Sequence, residues 1–183
     1  MTWFTVLIVA VGLERLAELV ISKRNAAWSF ARGGTESGQR HYLVMVVLHS
    51  GLLVGAIVEV WLRQPAFVPA LGWTMFALVL AAQALRWWCI ATLGRQWNTR
   101  VIVVPGLRPV TGGPYRWLSH PNYVAVVIEG FALPLVHSAW ITAVVFTLCN
   151  ALLLRVRIQV ENQALRAMAT PSAGPPTPRE PHG

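Results

Sequence analysis

Five apolar segments leave this chain few folds to choose from: roughly Trp3–Ser22, His41–Leu62, Val68–Leu93, Asn122–Val136 and Ala139–Leu154. A helix that crosses a bilayer needs about 20 residues, with a range near 17–25. The first three segments meet that length. The last two are shorter and are separated only by His137 and Ser138, so they read as a tight helical hairpin or a re-entrant pair. Charged residues make up only 12% of the chain, against roughly 25% in a soluble domain. The expected fold is all-α: a polytopic membrane helical bundle of about five transmembrane helices with a structured cytoplasmic loop. Nine tryptophans fit this environment, because indole rings favour the headgroup zone.

The net charge of +8 is compatible with nucleic acid, an anionic membrane surface or cytoplasmic loops. Its distribution favours the loops. Lys23, Arg24, Arg32 and Arg40 fall between the first two segments. Arg95, Arg100, Arg108 and Arg116 fall between the third and fourth, and Arg155, Arg157 and Arg166 follow the fifth. Only Arg63 lies on the other side. The positive-inside rule then puts the N-terminus outside and the C-terminus in the cytoplasm of an integral membrane protein, with membrane lipids as partners and no nucleic acid. Residues 1–20 have no basic n-region and run into Glu14, Arg15 and Glu18, so they read as a first span rather than a cleaved signal. Cys89 and Cys149 sit in apolar runs and read as packing residues, and no His/Cys spacing suggests a metal. Nothing in the sequence sets the oligomeric state.

The connection Gly94–Ser119 is too polar, and too rich in proline and glycine, to span. It contains a short β-prone run, Val101–Val104. Irregular backbone beside a bilayer must sit in water or be buried in protein, and a structured loop of this length is usually functional. Residues 1–169 read as one membrane domain. Residues 170–183, with five prolines from Pro171 onward, read as a disordered tail.

Charges inside the spans need partners. Glu14, Arg15 and Glu18 share the inner half of the first segment, and Arg15 and Glu18 are spaced to pair. A charge at the bilayer centre costs roughly 2.5–3.5 kcal/mol on the lenient scale. These groups therefore form either an internal ion-pair set or the lining of a wet cavity. Glu129 lies mid-segment and needs Arg86 or His49 beside it, or a cavity. Glu59, next to Trp61 near the outer boundary, is expected to snorkel.

Two polar clusters fall at the cytoplasmic end. The first runs from Gly113 through Pro114, Tyr115, Arg116, Trp117, Leu118, Ser119, His120, Pro121 and Asn122 to Tyr123. Pro121 suits the first turn of a helix, which places His120 at the helix mouth beside free backbone donors. Such a turn can hold a carboxylate or ribose hydroxyls, with aromatic rings beside a cation. S-adenosyl-L-methionine offers all three groups. A plain helix start with interfacial aromatics accounts for the same residues. The second cluster is Arg155, Arg157, Glu161 and Asn162. Arg157 and Glu161 are four apart, and taken alone they are an ordinary juxtamembrane pair.

Together the clusters resemble the isoprenylcysteine carboxyl methyltransferase family. The family pattern is Gly-Pro-Tyr leading into Arg-His-Pro-x-Tyr, then Arg-x-x-x-Glu-Glu after the last helix. Here it reads Gly113-Pro114-Tyr115, Ser119-His120-Pro121-Asn122-Tyr123 and Arg157-Ile158-Gln159-Val160-Glu161-Asn162. The match covers Leu93–Leu165, and the front half is similar to the family's small bacterial branch. Ser119 and Asn162 depart from the pattern, and Arg116 lies three residues before Ser119. The resemblance implies a carboxyl or O-methyltransferase using S-adenosyl-L-methionine. Gly113, Tyr115, Arg116, His120, Pro121, Tyr123 and Asn162 would bind the cofactor, and Arg157 and Glu161 would be catalytic. The acceptor would be a lipophilic small molecule or prenylated substrate: an isoprenylcysteine-type carboxylate, or a polyketide-derived alkylpyrone or phenolic lipid. A nicotinamide-dependent sterol-type reductase shares the His-Pro-x-Tyr turn but is generally longer. A transporter using Glu14 as a coupling carboxylate is the non-enzymatic alternative.

Overall fold

A computed structural model describes residues 1–169; the tail expected at 170–183 lies outside the described residues. Five α-helices account for most of the chain: α1 (Thr2–Phe30), α2 (Gln39–Arg63), α3 (Pro69–Leu93), α4 (Pro121–Leu135) and α5 (Trp140–Ala169). Helices α2, α3 and α5 are long and apolar enough to cross a membrane. In α1 the same length is interrupted by Glu14, Arg15 and Glu18. Helix α4 has 15 residues, about 22 Å, and folds back into α5 as the expected hairpin.

Two helices run further than their apolar segments. Helix α1 continues past Ser22 to Phe30, and α5 continues past Leu154, carrying Arg157, Glu161 and Asn162 on its last turns. The long connection lies at this end of the bundle, here called the loop end. Its β-prone run forms strand β2 (Val101–Val103), which pairs antiparallel with β1 (Thr35–Ser37), Glu36 facing Ile102. The α1 extension clamps the start of the connection. Asn25 donates to the carbonyls of Gly94 (3.1 Å) and Trp97 (2.7 Å), and Ser22 donates to Asn98 Oδ1 at 2.7 Å.

At the far end the helices close on apolar side chains, with Phe4, Ile8, Val60, Val79, Leu133 and Val136 buried together. Gly130 lets α4 approach α5, because a Cβ there would run into the Phe146 ring. Glu59 departs from the expectation that it snorkels. It is buried and accepts hydrogen bonds from the backbone N–H groups of Ile141 (3.0 Å) and Thr142 (2.7 Å) and from the Thr142 hydroxyl (2.8 Å). The first turn of α5 has backbone donors without helical partners, and this carboxylate from α2 satisfies two of them.

Candidate functional site

Apolar closure at the far end leaves the loop end of the bundle open around a cavity of about 800 Å³. That is within the range of small-molecule sites. Its walls come from α1, α2, α3, α4, α5 and the long connection, and Tyr115, Ser119, His120, Tyr123, Arg157 and Glu161 all line it.

The start of α4 sets the mouth. Pro121 occupies the first turn, where a missing N–H removes no helical bond. This leaves His120 as the residue preceding the helix. The His120 and Tyr123 rings stack at 5.3 Å with a 19° interplanar angle. Glu161 reaches across from α5. It accepts a hydrogen bond from the Tyr123 hydroxyl at 2.5 Å and lies 3.8 Å from His120 Nδ1. The Arg157 guanidinium sits 5.7 Å from the centre of the Tyr123 ring and donates to the Thr99 carbonyl at 2.9 Å. The spacing of Arg157 and Glu161 suggested a mutual ion pair. Among the described residues no bridge joins them: Glu161 takes the Tyr123 hydroxyl of α4 and Arg157 the Thr99 carbonyl, so α4, α5 and the connection are tied around one space.

Of the remaining sequence candidates, Tyr115 lines the cavity and the others stand outside its wall. Gly113 has φ +54°, and a Cβ there would press on the Thr92 side chain and lie 3.1 Å from Trp88 Nε1. Only glycine lets the 3₁₀ turn Gly113–Arg116 lie this close to α3. Tyr115 lines the cavity, and burial raises its hydroxyl pKa well above the ordinary tyrosine value, keeping it a proton donor. Arg116 is exposed, with its guanidinium 5.9 Å from the Trp117 ring, and is absent from the cavity wall. Its charge is thus not part of the wall that Ser119 lines. Asn162 also lies off the wall.

Beneath the mouth the intramembrane charges form one network. Arg15 bonds Glu18 at 2.5 Å and Gln83 at 2.8 Å, and lies 3.3 Å from Glu129. Arg86 bonds Glu129 and lies 3.6 Å from Glu18. The buried Glu129 thus has its partner in Arg86, with Arg15 as a second. Arg15, Glu18 and Arg86 also line the cavity, so three members of the ion-pair set, but not Glu14 or Glu129, belong to its wall.

Unpartnered buried polar atoms concentrate around the cavity. Among the described residues, buried side-chain atoms without a hydrogen-bond partner include Trp97 Nε1, Asn98 Nδ2, Asn122 Oδ1 and Arg157 Nε near the mouth. Arg15 Nε, Glu18 Oε1, Arg86 Nε and Asn150 Oδ1 lie deeper. All eight residues line the cavity. Buried polar atoms are normally paired, so their concentration around one space points to a polar ligand there. Sequence reasoning missed Trp97, Asn98 and Asn150, and quoted Asn122 within the motif without giving it a role. A lone asparagine in an apolar helix was a usable signal for Asn150; Trp97 and Asn98 depend on how the connection folds.

The isoprenylcysteine carboxyl methyltransferase (ICMT) family pattern matches residues 73–167. That stretch contains α4, all but the last two residues of α5, and every residue of the mouth named above. The chain belongs to this family. It is also similar to YpbQ of Bacillus subtilis (strain 168), 36% identical over 164 residues, which are 89% of this chain and 96% of the relative. An uncharacterized Haemophilus influenzae protein is 27% identical over 154 residues, 82% of this chain and 88% of the relative. Membership of the ICMT family makes the helical bundle a polytopic membrane protein of a methyltransferase family.

Proposed function

We propose that this ICMT-family protein transfers a methyl group from S-adenosyl-L-methionine to an oxygen of a lipophilic acceptor, at the cytoplasmic end of the bundle. Convergence of His120, Tyr123, Arg157 and Glu161 on one cavity wall carries this reading. In this reading the N-terminus is outside and the C-terminus cytoplasmic, which the arginine-rich loops support through the positive-inside rule.

The residues of the mouth fit the cofactor. Trp97, Asn98, Asn122 and Arg157 present partnerless polar atoms for a ribose, a base or a carboxylate. The stacked His120 and Tyr123 rings offer aromatic surface to a cation. When bound, S-adenosyl-L-methionine would supply a sulfonium methyl carbon for the acceptor oxygen to attack, the O–C bond forming as the C–S bond breaks and the sulfur leaves as a neutral thioether. Arg157 orients an acceptor carboxylate by its charge. For a hydroxyl acceptor, Glu161 takes the proton as the O–C bond forms, and Tyr123 holds the carboxylate in place. The chain contributes chiefly by alignment, which is worth up to about 7–11 kcal/mol in well-oriented reactions. Gly113 and Pro121 fix the backbone of the mouth, while Arg116 and Asn162 act from outside the cavity.

The acceptor is a lipophilic small molecule or prenylated substrate reaching the cavity from the bilayer: an isoprenylcysteine-type carboxylate, or an alkylpyrone or phenolic lipid. Incubating membranes that contain the protein with methyl-labelled cofactor should label a lipid fraction, and Glu161→Gln should lower that labelling. S-adenosylhomocysteine should bind the purified protein and NADPH should not. Binding of NADPH alone would replace methyl transfer with reduction.

A further inference from the structure

The long connection meets the cavity through an asparagine whose two ends are treated unequally. Asn98 Oδ1 accepts from the Ser22 hydroxyl at 2.7 Å and from the Arg100 backbone N–H at 3.4 Å. Asn98 Nδ2 is buried and has no partner among the described residues, and Asn98 lines the cavity. Which end of an asparagine amide is which follows from its hydrogen bonds. The Arg100 N–H can only donate, so the atom facing it is the oxygen. The NH2 group is the end left for a ligand.

Ser22 has no bonding capacity left for anything else. Its one hydrogen goes to Asn98 Oδ1, so the Thr99 hydroxyl at 2.8 Å donates to it, as the Thr99 backbone N–H does at 3.1 Å. Ser22 is 3% exposed and absent from the cavity wall. It also lies outside residues 73–167, which carry the family pattern. The turn itself has other anchors. Asn25 holds the Trp97 carbonyl at 2.7 Å, and Arg157 holds the Thr99 carbonyl at 2.9 Å. What Ser22 adds is the direction of the Asn98 amide, because the Arg100 bond that remains without it is long.

We propose that Ser22 is a positioning residue for cofactor binding. By holding Asn98 Oδ1 it presents the Asn98 NH2 group to an acceptor atom of the cofactor: a ring nitrogen, a hydroxyl or a carboxylate oxygen. This deepens the methyl-transfer reading and rests on it for the identity of the ligand. Ser22 itself stays off the cavity wall. A helix that the family pattern does not reach thus sets the polarity of one cofactor contact.

The test is binding of S-adenosylhomocysteine to the purified full chain, comparing wild type, Ser22→Ala, Asn98→Ala and the double variant, with a thermal melt of each. Either single variant should weaken binding roughly tenfold. The double variant should bind like Asn98→Ala, because Ser22 acts through that amide. Losses that add would mean that Ser22 supports the site by packing alone, and the proposal would fall. Wild-type affinity in Ser22→Ala would also overturn it. Should Ser22→Ala fail to fold, Asn98→Asp checks the direction of the amide with Ser22 intact. It replaces the donor with an acceptor, so it should bind less tightly than Asn98→Ala; equal or tighter binding would overturn the proposal. A wild type that does not bind S-adenosylhomocysteine removes the methyl-transfer reading and this inference with it. Binding that tolerates Asn98→Ala removes the inference alone.

Discussion

The Tyr123 hydroxyl donates to Glu161 Oε2 at 2.5 Å, joining the first turn of α4 to the last turns of α5 across 38 residues of sequence. This bond holds the carboxylate against α4 at the cavity wall. Tyr123→Phe removes the donor and keeps the ring that stacks on His120. A hydrogen bond to a charged group is worth about 1.5–3 kcal/mol, so methyl transfer should fall roughly tenfold to a hundredfold. S-adenosylhomocysteine affinity should change much less, because the stacked ring remains. Turnover and cofactor binding measured on the same preparation separate the two effects. An unchanged turnover would show that Glu161 needs no positioning.

The Arg86–Glu129 pair makes a different demand. Both side chains are nearly buried, with 7% of each accessible, and they join α3 to α4 inside the apolar part of the bundle. Removing one partner strands a buried charge, which typically costs about 3–5 kcal/mol. Arg86→Met should therefore lower the melting temperature sharply in detergent. Arg86→Met combined with Glu129→Leu should recover most of the loss, since Arg15 keeps its 2.5 Å contact with Glu18. A double variant as unstable as the single one would show that Glu129 is not held mainly by Arg86.

The helices were legible because the bilayer imposes length and polarity on them, and the α4–α5 hairpin followed from the two residues His137 and Ser138. Their ends were less legible. Beyond Ser22 and Leu154 the chain leaves the apolar zone, so hydropathy no longer reports helix, yet α1 and α5 continue. The β-prone Val101–Val104 run was visible, but its partner Thr35–Ser37 was not, since a three-residue polar strand has no pattern of its own. At the site, His120, Tyr123, Arg157 and Glu161 stood out by motif. Their pairing did not, because helical spacing favours Arg157 with Glu161 and cannot anticipate Tyr123 arriving from α4. Trp97 and Asn98 became site residues only through the clamp from Ser22 and Asn25.

Gly113 tests whether the connection shapes the mouth. Its φ of +54° and its closeness to Thr92 and Trp88 both exclude a side chain. Gly113→Ala should push the 3₁₀ turn off α3 and carry Tyr115 with it. The backbone strain alone is of order 1–3 kcal/mol. The expected result is weaker S-adenosylhomocysteine binding, about tenfold, with a smaller drop in melting temperature, because the helical core is untouched. Equal loss in a variant at the open Gly112, where a Cβ meets nothing within 4 Å, would make the effect nonspecific.

Glu59 offers a prediction at the opposite end, where stability and catalysis come apart. Its carboxylate caps the start of α5 through Ile141, Thr142 and the Thr142 hydroxyl, and Arg63 bonds it at 3.2 Å. Loss of an N-terminal cap costs about 0.5–2 kcal/mol. Burial places Glu59 at the upper end, because its removal leaves the α5 donors away from water. Glu59→Ala should lower the melting temperature clearly. Glu59→Gln, which keeps one acceptor oxygen, should lower it by less. Glu59 does not line the cavity, so methyl transfer per folded molecule should match the wild type in both variants. Had Glu59 been a snorkelling surface charge, both variants would melt with the wild type, and a melting curve in detergent distinguishes the two outcomes.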